Sequence, residues 1–428
     1  MTYLITILTA FGSVIGFVIQ ALLARQFGIG SDMDLYLLAL SIPLFGASVF
    51  ATACSFSIVP QLVGIKDERE RIKLNQGVII FSLLISFLFF LFNFFADFQI
   101  SYYANSNLLI LDKHKMLFRL AWLFGACQIM IATFATILTA EKRYLSAIFL
   151  QLSPQIGLLF CLLFFINTAE DILYLIIGSL IGCFIGISVS LLNLRKYFIA
   201  INKMIIQDIY LLIKKVGSKA FYGAFASSIF GVCLIIDAIM APFEGLGVLT
   251  SLAYSQKVII GFGNLATIGV FTVAAPHFKE IIVSYGPVAF AAHIKKFVGY
   301  SLFFSLILAI GLYFFTDDLL SFFFKSDVFL DADVTSVSLL VSTMLPGMIA
   351  MLVSSILFKA LFCLDKISRI SIFLGLLWPI LYFIGISFLP SEGAIKFSQS
   401  YTLSWIIFSA VLVWYMLHRI KEEILKQE

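Results

Sequence analysis

Cations in this chain sit in alternate gaps between long apolar stretches, and that spacing limits the possible folds more than any other feature. Of its twenty-eight Lys and Arg residues, twenty cluster in every second gap. A helix crossing the hydrocarbon core needs about 20 mostly apolar residues. Twelve stretches qualify: 2–24, 34–60, 77–97, 116–140, 144–167, 171–194, 218–242, 246–275, 295–316, 334–363, 367–389 and 397–418. The cation-rich gaps carry Lys66, Arg69, Arg71 and Lys73, then Lys142 and Arg143, then Arg195 to Lys219. Further along come Lys279, Lys295 and Lys296, then Lys366 and Arg369, and finally Arg419, Lys421 and Lys426. Cytoplasmic loops hold such excess, so both termini are expected in the cytoplasm. The intervening gaps are poor in cations and richer in acids, as in Glu170-Asp171 and Asp317-Asp318.

Composition points the same way. Hydrophobic residues make up 61% of the 428, charged residues only 12%, and there are 47 Phe. Soluble domains carry about a quarter charged residues. Lipid must therefore solvate part of this apolar area, and the expected class is an all-α polytopic membrane protein. The net charge of +4 belongs to the loops and gives no reason to expect nucleic acid. Without an initial charged region or a small-residue cleavage site, the first stretch reads as a retained span.

The two halves of the sequence resemble each other. Ala24-Arg25-Gln26-Phe27-Gly28-Ile29-Gly30 and Ala241-Pro242-Phe243-Glu244-Gly245-Leu246-Gly247 follow the first and seventh stretches. Later, helices containing Pro154 and Pro379 follow charged turns. An even number of spans per half implies a parallel repeat, as in transporters that hold substrate between two lobes. The expected organisation is a six-helix lobe over 1–196, an amphipathic cytoplasmic linker helix over 197–216, and a second six-helix lobe with a short tail over 217–428. Ile201, Ile205, Ile206, Ile209 and Leu212 give the linker its apolar face.

Eight cations remain outside the cytoplasmic gaps: Arg25, Lys113, Lys115, Arg119, Lys257, Lys325, Lys359 and Lys396. A charge in the membrane must face a partner or a watery cavity. Lys257 is the principal candidate, in the polar run Tyr254-Ser255-Gln256-Lys257 within the eighth stretch. It either binds an anionic group or is neutralised by Asp237. Arg25 and Asp34 flank the first external turn, as a cavity pair or as a surface pair and helix cap. Arg119 lies just inside the fourth stretch, where it can snorkel outward. Lys359 is a weaker candidate, late in the tenth stretch.

Cys54, Cys127, Cys161, Cys183, Cys233 and Cys363 have no metal-ligand spacing and read as small buried hydrophobes. The four His form no paired set. No phosphate-binding glycine loop and no nucleophile–His–acid set occur. No metal, cofactor or enzymatic activity is expected.

The run Ala24 to Asp34, leading into Ile42-Pro43 and Phe56-Ser57-Ile58-Val59-Pro60, resembles the MviN/MurJ branch of the multidrug/oligosaccharidyl-lipid/polysaccharide exporter superfamily, which includes lipid II flippases. Tyr254-Ser255-Gln256-Lys257 falls where that family carries a cavity arginine, and Glu141-Lys142-Arg143-Tyr144 with Pro154 also fits. The resemblance implies two six-helix bundles in a V around a charged cavity, as in MATE-like folds. It also implies an isoprenoid-linked sugar as substrate, in the bacterial inner membrane. Lys257, Arg25, Asp237, Asp34, Tyr254, Gln256 and Arg119 would then be the cavity residues.

Three features depart from the lipid II members. Their first helix carries arginines where this chain has Ser13 and Ile19. Their second helix bears further arginines where it reads Phe45-Gly46-Ala47-Ser48 and Ala51-Thr52-Ala53-Cys54. The branch also leads one to expect two more C-terminal helices than the twelve stretches read here. These departures favour a flippase for an undecaprenyl-pyrophosphate-linked surface-polysaccharide repeat unit, with a polymerase or glycosyltransferases as partners. The alternatives are a lipid II flippase and a cation-coupled small-molecule exporter of the same fold, with a membrane scaffold as a fourth.

Overall fold

Backbone amides in hydrocarbon find no water, so a spanning segment must satisfy them within itself. The computed structural model describes residues 2–64, 67–103, 112–166, 171–199, 231–363 and 368–425, and every regular element among them is helical. In order they are α1 (Thr2–Phe27), α2 (Ser31–Gly64), α3 (Glu68–Leu91) and α4 (Phe95–Tyr103), then α5 (Asp112–Ala140), α6 (Tyr144–Phe164) and α7 (Ile172–Ile199). After them come α8 (Gly231–Phe243), α9 (Val248–Phe323), α10 (Asp331–Cys363), α11 (Ser368–Phe388) and α12 (Gly393–Leu425). A 3-10 turn, Phe92–Phe94, joins α3 to α4, so these two make one span.

Helix α9 supplies two spans. Gly286 breaks it, with φ 79 and ψ −178. The Phe278 ring lies 5.1 Å from that of Phe297, whereas 19 residues of straight helix would separate them by roughly 28 Å. The chain therefore folds back on itself at Gly286. Each of the twelve expected stretches falls on a described helix, the seventh only from residue 231. The chain is an all-α polytopic membrane protein, with eight described segments long and apolar enough to span and three shorter apolar helices.

The described residues form two compact units, Met1–Thr250 and Ser251–Glu428. The expected linker helix over 197–216 lies outside the described residues beyond Ile199. Cys54, Cys127, Cys161, Cys183 and Cys233 are buried without disulfides, as expected.

Charged turns end the helices where the sequence placed them. Asp67 caps α3 by accepting from Arg69 N at 2.9 Å, with Glu68 and Glu70 in the first turn where the helix dipole favours them. At the end of α5, Arg143 N reaches Leu138 O and Lys142 N reaches Thr139 O, with Lys142 at φ 63. This is the paired closure of a Schellman motif.

Lipid offers little hydrophobic drive between helices, so close approach must supply the attraction. On α7, Gly178, Gly182 and Gly186 recur every fourth residue and meet Ser153, Gly157 and Cys161, spaced likewise on α6. A Cβ on Gly182 would lie 2.1 Å from Ser153 O, and one on Gly157 would lie 2.3 Å from Gly178 O. In the second unit, small hydroxyls cross between helices. Ser400 donates to Tyr382 O at 2.8 Å, and Thr402 donates to Thr343 O at 2.6 Å. Trp378 and Trp405, ring centroids 5.0 Å apart, fill the space beside them.

Because backbone cannot yield as a flexible side chain can, Gly182→Leu is expected to separate α6 from α7 and abolish monodisperse protein in detergent. Gly311→Ala, where nothing lies within 4 Å of the added carbon, should leave the elution profile and thermal midpoint at or above wild type.

Candidate functional site

Residues 251–259 at the start of α9 are buried, with one exception: Lys257 is exposed. Its neighbours turn into the second unit. Tyr254, fully buried, packs edge-on against Phe324 and Phe329, with centroids 5.8 and 6.0 Å away. Ser255 donates to Ser251 O at 2.8 Å, closer than Val337 O at 3.4 Å. Gln256 is buried as well. Lys257 makes no hydrogen bond or ion pair among the described residues. One turn further on, Ile260 is exposed and a Cβ on Gly261 would meet nothing within 4 Å. Lys257 thus stands beside an open strip, on a segment of α9 whose residues from 251 to 259 are otherwise packed.

Asp34 serves a different purpose from a cavity carboxylate open to ligand. It is fully buried in the first turn of α2. Its Oδ2 accepts from Gly247 N at 2.6 Å, and its Oδ1 accepts from Thr250 N at 2.8 Å and Thr250 Oγ1 at 2.6 Å. Gly247, the residue before α9, has no side chain with which to cap it. Asp34 supplies that missing cap from more than two hundred residues away, with its charge at the positive end of the helix dipole. Gly28 (φ 61), Gly245 (φ 149) and Gly247 (φ 77) hold the two related turns in conformations that disfavour side chains, and Ile29 closes on Gly247, 2.5 Å from where its Cβ would be.

The remaining candidates lie on several helices. Arg25 is exposed in the last turn of α1. Asp237 is buried in α8 of the first unit, while Lys257 belongs to the second. Arg119 pairs with Asp97 at 3.3 Å, both side chains more than half exposed. Such a pair is a surface feature worth about 0–1 kcal/mol. Lys325, another of the eight cations outside the cytoplasmic gaps, pairs with Asp331 at 2.6 Å. The side chain of Lys359 lies outside the described residues.

One cavity was not anticipated. Within the first unit, a space of about 410 Å³ is lined by Ala47, Ser48 and Ala51 of α2, Gln128 and Thr136 of α5, and Gln151 of α6, among others. None of its lining residues is charged. Ala47, Ser48 and Ala51 fall in the α2 stretches where the resembling flippases bear arginine. Amides recurring in apolar segments, at Gln128, Gln151 and Gln155, were the available signal; counting charges passed over them. No cluster able to hold a metal occurs among the described residues.

The family described as lipid II flippase MurJ matches residues 23–427. The chain belongs to that family. A probable lipid II flippase MurJ from Thermotoga maritima is 24% identical over 332 residues, which span 76% of this chain and 66% of the relative. Among solved structures, a lipid II flippase MurJ in an inward closed conformation superposes with a TM-score of 0.74 at 21% identity, covering 96% of this chain and 87% of that one. An inward-facing multidrug resistance MATE family transporter of the MOP superfamily gives 0.76 at 10% identity, covering 97% and 96%. This member of the MurJ family therefore has the MOP fold, as its first turn led one to expect, and its relatives are transporters.

Removing the Asp34 carboxylate strands buried donors at the start of α9. Asp34→Ala should destabilise the protein by about 3 kcal/mol, read as a lowered thermal midpoint, with Asp34→Asn intermediate. Arg119→Ala should leave the midpoint within experimental scatter.

Proposed function

We propose that this chain is a flippase that carries lipid II across the bacterial cytoplasmic membrane by alternating access, with both termini in the cytoplasm. The family match over residues 23–427 carries this reading. The leading expectation from the sequence, a surface-polysaccharide repeat unit, gives way to its alternative, because the family and the curated relative both bear the name of lipid II. The cation-coupled exporter loses support: the first unit's cavity has no acid in its lining, and Asp34 is saturated by Gly247 and Thr250.

The chemistry of Lys257 suits a pyrophosphate carrier. Exposed on a spanning helix, an ammonium costs several kcal/mol in lipid unless water or an anion meets it. A pyrophosphate offers that anion, and lysine binds it as a point charge through three donors. The isoprenoid tail would stay in the bilayer while the head group crosses. One observation keeps the polysaccharide unit as a second reading: Ser13 and Ile19 leave α1 without the arginines of the lipid II members.

Expression in cells depleted of their own lipid II flippase separates the two. Restored growth and restored access of externally added probe to lipid II support the proposal. Lys257→Ala should abolish both while the protein remains folded in the membrane, and Lys257→Arg should retain them. Failure to rescue, together with restored surface polymer in a strain lacking its repeat-unit flippase, would transfer the assignment to the second reading.

A further inference from the structure

We infer that the uncharged cavity among α2, α5 and α6 is a carbohydrate subsite that recognises sugar hydroxyl and acetamido groups through Gln128 and Gln151. This inference rests on the flippase reading and assigns part of its substrate to a place that Lys257 does not occupy.

Four of the nine lining residues, Ser48, Gln128, Thr136 and Gln151, can hydrogen-bond without carrying charge. Each glutamine amide offers two N–H donors and a carbonyl acceptor. Neither Gln128 nor Gln151 makes a hydrogen bond among the described residues. The Ser48 hydroxyl donates to Phe45 O at 2.8 Å and that of Thr136 to Ala132 O at 2.7 Å. Their protons are committed, which leaves their oxygens to act as acceptors. A hydroxyl-bearing ring both donates and accepts, and satisfies such a set without ions.

A pyrophosphate does not. With no cation in the lining, an anion placed there would lose hydration with no opposite charge to offset it. The cost of leaving the site empty points the same way. Amides at membrane depth are expensive unless water or a polar ligand covers them. Small side chains at Ala47 and Ala51 keep the space open, and about 410 Å³ falls within the usual range of about 300–1,000 Å³ for ligand sites. The positions that lost the arginines of the resembling flippases thus border a cavity suited to the neutral part of the same molecule.

The test measures binding of the purified full chain to two lipids, undecaprenyl-pyrophosphate bearing its glycan and bare undecaprenyl pyrophosphate. Wild type should prefer the glycan-bearing lipid. Gln128→Leu with Gln151→Leu should lose about tenfold in affinity for it and keep its affinity for the bare lipid, which also certifies the fold. Ala51→Phe, which fills the cavity, should do the same. Lys257→Gln should weaken both lipids alike. A glutamine double variant that keeps the wild-type glycan preference overturns the subsite and leaves the flippase reading intact. So does equal binding of both lipids by wild type. If wild type binds neither lipid, the flippase reading falls and the subsite falls with it.

Discussion

Peptide groups in hydrocarbon have no water to turn to, and nearly every feature of this structure answers that constraint. Within a helix the answer is automatic. At the ends it is not, because the first four amides and the last four carbonyls of each helix lack intrahelical partners. The chain meets the demand with specific devices at its reversals. Lys142 adopts a left-handed conformation so that the backbone can close α5 on itself. Asp333 reaches back to Leu330 N at 2.8 Å at the start of α10. Asp34 reaches furthest, capping α9 from α2. The same lack of water removes the hydrophobic drive between helices, so contact must come from backbones brought close, as along the Gly178-Gly182-Gly186 stripe.

The global plan was legible because it is written in composition and periodicity. Stretch lengths gave the helices, and the charged clusters gave the turns at Asp67 and Glu141. The first turn and the eighth stretch gave the family. What escaped were relations between distant residues. Asp34 stood out as an acid near a membrane boundary, yet its partners are 213 and 216 positions away, so nothing local could mark it as a cap. The hairpin at Gly286 was legible only as a gap between spans. The α6–α7 stripe had a visible signal, glycine at every fourth position, that a search for charges does not read. Arg119 was open to the reading the structure supports, since a cation near a span's end can meet an acid such as Asp97 in the adjoining segment.

The substrate was the hardest part to read, and the reason is chemical. The lack of arginine at Ser13, Ile19 and the Ala47–Ala51 stretch does not by itself tell which lipid-linked sugar is carried. It bears more directly on how the head group is held. A guanidinium grips phosphate through a fixed fork, whereas an ammonium holds it as a mobile point charge. A site relying on Lys257 would fix the orientation of a pyrophosphate loosely. The proposed flippase must then draw its selectivity from elsewhere on the substrate.

The neutral cavity is where that selectivity would arise. Hydrogen-bonding sites discriminate sharply when a ligand lacks the partner they expect, because a buried donor or acceptor left alone costs more than a matched pair gains. Gln128 and Gln151, without hydrogen-bond partners among the described residues, would impose such a requirement once a ring covers them, while Ser48 and Thr136 can only accept. A phosphate site and a sugar site answer different questions about one substrate, the first whether it is the right carrier and the second whether it is loaded. Separating them lets a transporter lose cations in one place without losing specificity. On this view the uncharged face of α2 at Ala47, Ser48 and Ala51 leaves recognition there to hydrogen-bond pattern and not to charge.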